Sequence, residues 1–414
     1  MSQSKLFSNF VSVGAVQLTN FVIPILIYPY LFRTLGATPF GTVMYALNIM
    51  LYLSAFIDYG FNITAPRNIA VNQGDIRVIS VVVSSVIQTK VTIFLFSSLF
   101  FACLVFLIPR LSQEVFLYLF GSIYMLGNAL IPTWLFQGLE DMKHLTWINL
   151  VAKIVSILLV IIVINEPSQY VYTVGLLGLA NLVSGIIGLG YAKVKYNIVL
   201  QLQPISTIYG ELKTGWYYFT SLIAATLFSN TTILILGLFV TDDIVGKYGI
   251  AEKISFAVWQ LIGVFSQVTY PVLCRLAQIS HFESLKFIRK YYPPFIALVS
   301  TICFGLFIFS DNIIYIISGS YQEDTSSLIK ILSFLPLAIC LNVPAYQLLL
   351  AYGKQRDNAL IFNWSAALSI GLTMLMVFLF GAIGAAWAAV ITQIGVTLAL
   401  HLILHKRHTS FSIW

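Results

Sequence analysis

The chain has 414 residues, 59% hydrophobic and only 9% charged, with a mean hydropathy of +0.91. A water-soluble domain carries about 25% charged residues, so this supply cannot cover a solvated surface. The net charge of +7 does not read as a nucleic-acid interface, because the basic residues are few and dispersed along the chain.

A bilayer crossing takes roughly 20 apolar residues, so twelve crossings would use about 240, close to the apolar share of the chain. In chain order, apolar segments bounded by short polar breaks fall at about 8–32, 41–61, 79–108, 115–136, 145–164 and 170–192. A second set falls at about 215–240, 245–274, 291–310, 327–350, 358–380 and 382–404, the last two divided only at Gly381. The first segment follows a single Lys5 and carries no small-residue cleavage site, so it reads as a retained helix rather than a signal peptide. The fold class expected is an all-α polytopic membrane protein of about twelve transmembrane helices. With both termini on one side, that side receives fifteen of the 22 Lys and Arg, and the opposite side receives Arg33, Arg110 and Lys247. The remaining four lie inside helices. The positive-inside rule then puts both termini in the cytoplasm.

The two halves look related. Phe40-Gly41-Thr42-Val43-Met44-Tyr45-Ala46 resembles Val245-Gly246-Lys247-Tyr248-Gly249-Ile250-Ala251, 205 positions on. The fourth helix carries Asn128 and Pro132 and exits at Gln137-Gly138. The tenth carries Asn342 and Pro344 and exits at Tyr352-Gly353. A parallel repeat of two pseudo-symmetric six-helix lobes is a transporter habit. The expected division is an N-terminal lobe at 1–195, an inter-lobe linker at 196–213 and a C-terminal lobe at 214–414. Small residues at four-residue spacing in the sixth helix, Ala180, Ser184 and Gly188, read as a packing face.

An ionisable group deep in an apolar helix costs a few kcal/mol and needs a reason. Lys90 lies near the middle of the third helix. To snorkel it would need to cover roughly 15 Å with a side chain of about 6 Å. It reads as a cavity or ligand group, with a buried structural pair as the alternative. Lys253 and Glu252 sit about two turns into the eighth helix. As adjacent residues they point to different faces and make poor partners for each other. Lys153 lies two turns into the fifth helix and could snorkel. Lys330 is within a turn of a helix end, so an interfacial role is expected. Asp58 ends the second helix just ahead of Arg67, as a helix-end ion pair or gate. Gln17, Thr19 and Asn20 in helix one have a counterpart in Ser229, Asn230 and Thr231 of helix seven. Kinking, interhelical hydrogen bonds and substrate contact all account for them. Basic groups outnumber acids inside the membrane, which favours an anionic cargo.

Other chemistry finds no foothold. The cysteines at 103, 274, 303 and 340 lack metal or disulfide spacing. There is no Walker A run, no HExxH, and no loop longer than about 25 residues. No cofactor or metal is expected.

Three runs carry a family likeness. They are Asn20-x-x-x-Pro24 with Pro29-Tyr30-Leu31-x-Arg33-x-Leu35-Gly36 and Phe40-Gly41; Asp58-Tyr59-Gly60-Phe61-Asn62 with Ala65, Arg67, Ile69 and Ala70; and Pro132-x-Trp134-Leu135-Phe136-Gln137-Gly138-x-Glu140-x-Met142. Together they resemble O-antigen flippases of the Wzx type, in the multidrug, oligosaccharidyl-lipid and polysaccharide exporter superfamily. Pro66 departs from that pattern, standing where a plain helical residue is expected, and Lys stands at 153 and 253 where Arg is also familiar. The second half fits by topology and by Gly246, Tyr248, Ala251 and Lys253.

The resemblance implies alternating access by two six-helix lobes in the bacterial inner membrane. Its substrate would be undecaprenyl pyrophosphate carrying one oligosaccharide repeat unit, moved from the cytoplasmic to the periplasmic leaflet. By that likeness Lys90, Lys153 and Lys253 would bind the anionic head, and Arg33 and Arg67 would stand near the two gates. By their own placement Gln17, Asn20 and Asn230 are candidate cavity residues, and Asp58 and Glu252 candidates for gating or coupling. It also implies coupling to an H+ or Na+ gradient, and an O-antigen polymerase and chain-length regulator as partners. The alternatives are a drug or small-molecule exporter of the same superfamily, which would carry acidic cavity residues, and a membrane polysaccharide polymerase, which would need a sizeable periplasmic loop.

Overall fold

The computed structural model describes residues 26–407. Every described element is helical, and among the described residues there is no strand. The first helix, α1, is described over 26–35. It is followed by α2 (Ala37–Asp58), a short helix (Phe61–Val71), α3 (Ile76–Leu107), α4 (Val115–Leu130), a short helix (Thr133–Gly138), α5 (Met142–Val163) and α6 (Thr173–Tyr196). Then come α7 (Ile205–Phe239), α8 (Asp242–Ile279), α9 (His281–Ile308), two short helices (Ser310–Ser318 and Glu323–Leu332), α10 (Phe334–Ala351) and α11 (Gln355–Arg407). Among the described residues, nine helical segments are long and apolar enough to cross a bilayer. The chain is therefore a multi-pass membrane protein.

Two of the twelve expected crossings share one of those segments. α11 has 53 residues, about 80 Å at 1.5 Å per residue, far more than a bilayer needs. It turns back at Gly381, where φ is 58° and ψ is −136°. A Cβ at Gly384 would lie 1.9 Å from the Met376 carbonyl oxygen, so the two arms pass with no room for a side chain there. α7 contributes a shorter apolar stretch, Asn230–Phe239.

The chain forms two compact units. Thr42–Thr226 makes up the described part of the first, and the described parts of Pro24–Gly41 and Leu227–Trp414 form the second. Residues 196–213 group with the first unit.

In the first unit α6 packs on α4 and α5. Glycines set the α4–α6 distance: a Cβ at Gly178 would meet Tyr124 Cα at 2.4 Å, and one at Gly127 would meet the Leu182 nitrogen at 2.7 Å. Ala180, Ser184 and Gly188 are all buried, as a packing face requires. Asp141, between α4 and α5, bonds Lys195 at 2.6 Å, His144 at 2.8 Å and the Tyr196 hydroxyl, which ties that turn to the end of α6. Burial alone would raise its carboxyl pKa, but these donors outweigh it and hold the pKa below the ordinary value.

Pro66 sits inside the Phe61–Val71 helix, where its missing N–H costs one helical bond. The neighbouring short helix closes over this segment. Trp134, Leu135 and Phe136 are buried, and a Cβ at Gly138 would meet Ile69 at 2.7 Å and the Pro66 oxygen at 3.0 Å. The Gln73 side chain donates to the Gly138 carbonyl at 2.8 Å. Packing of two short helices thus explains the residues from 132 to 138.

The repeat is visible in the packing of each unit taken by itself. A groove of about 380 Å³ lies between α5 and α6, and one of about 620 Å³ between the arms of α11. Trp147, Ile148, Val151, Ala152, Val155 and Leu159 line the first. Each corresponds, 213 positions on, to Leu360, Ile361, Trp364, Ser365, Leu368 and Leu372 lining the second. Leu179, Val183 and Ile187 correspond in the same way, 212 positions on, to Ile391, Gly395 and Ala399. Each half therefore builds the same groove from its fifth and sixth helices.

Candidate functional site

In the first unit the site is organised by the break after α2. Tyr59 and Gly60 take φ of 48° and 81°, in the left-handed region. Gly60 is required twice over, because a Cβ there would also meet Tyr218 Cβ at 2.7 Å. The Tyr59 ring stacks on Phe219, with centroids 4.5 Å apart and planes 12° apart. This break leaves the Asp58 carboxylate at a helix C-terminus, where the helix dipole disfavours it.

Two donors offset that cost. Lys90 Nζ lies 2.8 Å from Asp58 Oδ1, and Asn62 Nδ2 donates to the same oxygen at 2.8 Å. The Lys90 side chain is 1% exposed and that of Asp58 17%. Of the two readings of Lys90, the structure shows the paired one. The helix-end partner of Asp58 is Lys90, not Arg67, which is exposed on the Phe61–Val71 helix. The left-handed turn separates Arg67 from the end of α2, whereas Lys90 on α3 reaches the Asp58 carboxylate.

In the second unit Lys253 and Glu252 do pair, at 2.9 Å, with side chains 19% and 23% exposed. The expectation that neighbours on a helix make poor partners is corrected here. Their Cβ atoms diverge, but two long, half-buried side chains bend round to meet. The Lys253 ammonium also lies 5.7 Å from the Tyr28 ring centroid and 5.9 Å from that of Phe256.

Glu252 lines a cavity of about 580 Å³ walled by residues of α7, α8, α10 and α11. Asn342, Asn358, Thr392 and Gln393 add polar groups to the same wall. Asn358 Oδ1 and Thr392 Oγ1 are buried there without hydrogen-bond partners. One carboxylate and several neutral oxygens suit a proton or a hard cation. Among the described residues, no three His, Cys, Asp or Glu side chains converge as a metal site would require.

The other expected residues are dispersed. Lys153 is half-buried on α5, Asn230 half-buried on α7, and Arg33 exposed on α1. Lys330 faces Asp311 at 3.4 Å. Gln17, Thr19 and Asn20 lie outside the described residues. Asn62, Asn358 and Thr392 were not picked out from the sequence. Asn62 stood in a recognised run, but single Asn and Thr residues in apolar helices carry no signal of their own.

The profile of the family described as "Polysaccharide biosynthesis protein" matches residues 6–277. The chain belongs to that family. A protein of Escherichia coli (strain K12) named for O-antigen transport is 27% identical over 390 residues, covering 94% of each chain. A Shigella dysenteriae protein named likewise is 25% identical over 385 residues, covering 92% of this chain and 95% of its own. Among solved structures, the lipid II flippase MurJ in an inward closed conformation superposes with a TM-score of 0.71 at 14% identity, covering 98% of this chain and 88% of its own. An inward-facing multidrug resistance transporter of the MATE family superposes with a TM-score of 0.63 at 12% identity, covering 95% and 98%. The fold of this family member is thus shared with membrane transporters of two kinds.

Proposed function

We propose that the chain is a flippase for lipid-linked polysaccharide repeat units. It carries undecaprenyl-pyrophosphate-linked O-antigen units from the cytoplasmic to the periplasmic leaflet of the bacterial inner membrane. The reading includes twelve crossings, both termini in the cytoplasm, and 196–213 joining the halves. Membership of the family and the relatives named for O-antigen transport support the cargo class. The observation that carries the mechanism is that each unit holds a lysine of a long apolar helix against a carboxylate: Lys90 on Asp58, and Lys253 on Glu252.

A buried cation already holding a carboxylate can exchange it for another anion without being left bare. The pyrophosphate head supplies that anion, displacing Asp58 from Lys90 and Glu252 from Lys253. Lys153, Asn230, Gln17 and Asn20 complete the polar lining in this reading, and Arg33 and Arg67 stand towards the openings. The freed Glu252 carboxylate, at the wall of the oxygen-lined cavity, is the group to take up a proton or sodium ion, which couples export to a gradient. A polymerase and a chain-length regulator would act on the product.

Lys90→Ala and Lys253→Ala should each reduce surface O-antigen at least tenfold at matched membrane protein level, with Lys→Arg retaining part of it. Wild-type export in both alanine variants would remove these residues from the mechanism. Collapsing the proton or the sodium gradient in the same cells identifies the coupling ion, and export indifferent to both would refute coupling.

A further inference from the structure

The groove between α5 and α6 has a chemistry that the export mechanism leaves unused. Trp147, Val151, Val155 and Leu159 stand four residues apart along α5, and Leu179, Val183 and Ile187 four apart along α6, so one face of each helix forms a wall. Ser156 Oγ, also in the lining, donates to the Leu176 carbonyl at 2.6 Å, so its proton is held inside the unit. Trp147, Val151, Val155 and Ile187 are exposed. In a membrane-spanning chain an exposed apolar wall is covered by hydrocarbon.

Both walls run towards a cation at the same end. Lys143 stands one turn before Trp147, and Lys195 two turns beyond Ile187. Lys195 is engaged by Asp141 at 2.6 Å, and its ammonium lies 5.2 Å from the Tyr191 ring centroid. Asp141 is further held by His144 and the Tyr196 hydroxyl, and Glu140 beside it has a partner as well. Lys143 is exposed and forms no ion pair among the described residues. Trp147, one turn inward, is the residue type that settles at the boundary between water and hydrocarbon. From Trp147 to Leu159 α5 rises about 18 Å, close to the roughly 15 Å of one leaflet's hydrocarbon. That length fits one acyl chain and is far too short for an undecaprenyl tail.

We propose that the α5–α6 groove is a binding site for an anionic glycerophospholipid, with one acyl chain along the groove and the phosphate on Lys143. The groove between the arms of α11 is a comparison within the same molecule. It has Arg356 where α5 has Lys143, 213 positions earlier, but Asp357 lines that groove, and Ser365 and Thr392 interrupt its wall. A carboxylate beside Arg356 offsets the attraction that Arg356 exerts on an anion. The second groove therefore takes a lipid chain without preferring an anionic head. A lipid in the first groove touches both α5 and α6 at the end where Asp141 ties them together, and so steadies that end of the first unit. The site uses neither Lys90 nor Lys253, and it stands whatever the cargo is.

The test is native mass spectrometry of the full-length protein released from nanodiscs of phosphatidylglycerol and phosphatidylethanolamine in equal amounts. The wild-type protein should retain phosphatidylglycerol over phosphatidylethanolamine by about fivefold, the factor that one lysine near an anionic surface contributes. Lys143→Gln should abolish that preference, and Arg356→Gln should leave it unchanged. Val151→Trp, which puts into this groove the side chain that Trp364 puts into the other, should remove the bound phosphatidylglycerol itself. Because Lys143 is exposed, Lys143→Gln reads the site even if Val151→Trp does not fold. Equal retention of the two lipids by the wild type, or a preference that survives Lys143→Gln, would overturn the site. Phosphatidylglycerol retained in a folded Val151→Trp would show lipid bound elsewhere only, and would overturn it too. A polyprenyl-linked mass retained by the wild type and lost in Val151→Trp would make the groove a seat for that lipid and overturn the phospholipid assignment.

Discussion

A charged side chain in the middle of a membrane helix costs a few kcal/mol unless something compensates for it. At Lys90 the compensation is a single carboxylate 2.8 Å away. Removing one partner of a buried pair strands the other, at a typical cost of about 3–5 kcal/mol. Asp58→Asn is therefore expected to lower the melting temperature of the purified protein clearly, and Asp58→Glu to lower it less. An unchanged melting temperature in Asp58→Asn would mean that the pair contributes nothing to stability. That Lys90 could not snorkel to water was legible in the sequence, but the sequence favoured a cavity or ligand role over the buried pair that the structure shows. The partner's identity was not legible, because Asp58 is 32 residues away and comes into range only through the left-handed turn at Tyr59 and Gly60. The Lys253–Glu252 pair was hidden for another reason: helix spacing rules locate Cβ atoms, and long side chains reach well beyond them.

Helix crossings follow the same logic one level up. Within the second unit, the first turns of α2 and α8 meet at two glycines. A Cβ on Gly41 would sit 1.8 Å from the Asp242 carbonyl oxygen, and one on Gly246 would sit 2.0 Å from that of Ala37. Residues 37 and 242, like 41 and 246, are 205 positions apart, so each repeat presents to the other the same glycine and the same carbonyl. The likeness of these two stretches was readable as sequence; that they touch was not. Gly41→Ala and Gly246→Ala should each destabilise by about 1–3 kcal/mol, because backbone rather than a flexible side chain must give way. Gly190→Ala in α6, with nothing within 4 Å of its Cβ, should be neutral or slightly stabilising in the same thermal unfolding assay. Equal melting temperatures for all three would mean that the crossing tolerates a methyl group. The twin grooves went unseen beforehand because their corresponding residues are interchangeable apolar types, as Val151 and Trp364 illustrate.

For the molecule as a whole, composition and apolar segment length were enough to give a helical membrane protein, and the matched family and shared transporter fold agree. The break at Gly381 was the weakest of the sequence divisions, because Gly371, Gly384 and Gly395 lie in the same apolar run without breaking it. The direction and cargo of transport make the central claim, and the sidedness of lipid-linked repeat units tests it most directly. In cells lacking this protein, units accessible only from the cytoplasmic leaflet should accumulate, and restoring the gene should move them to the periplasmic leaflet. Units that reach the periplasmic leaflet equally well with and without the protein would contradict the flippase account.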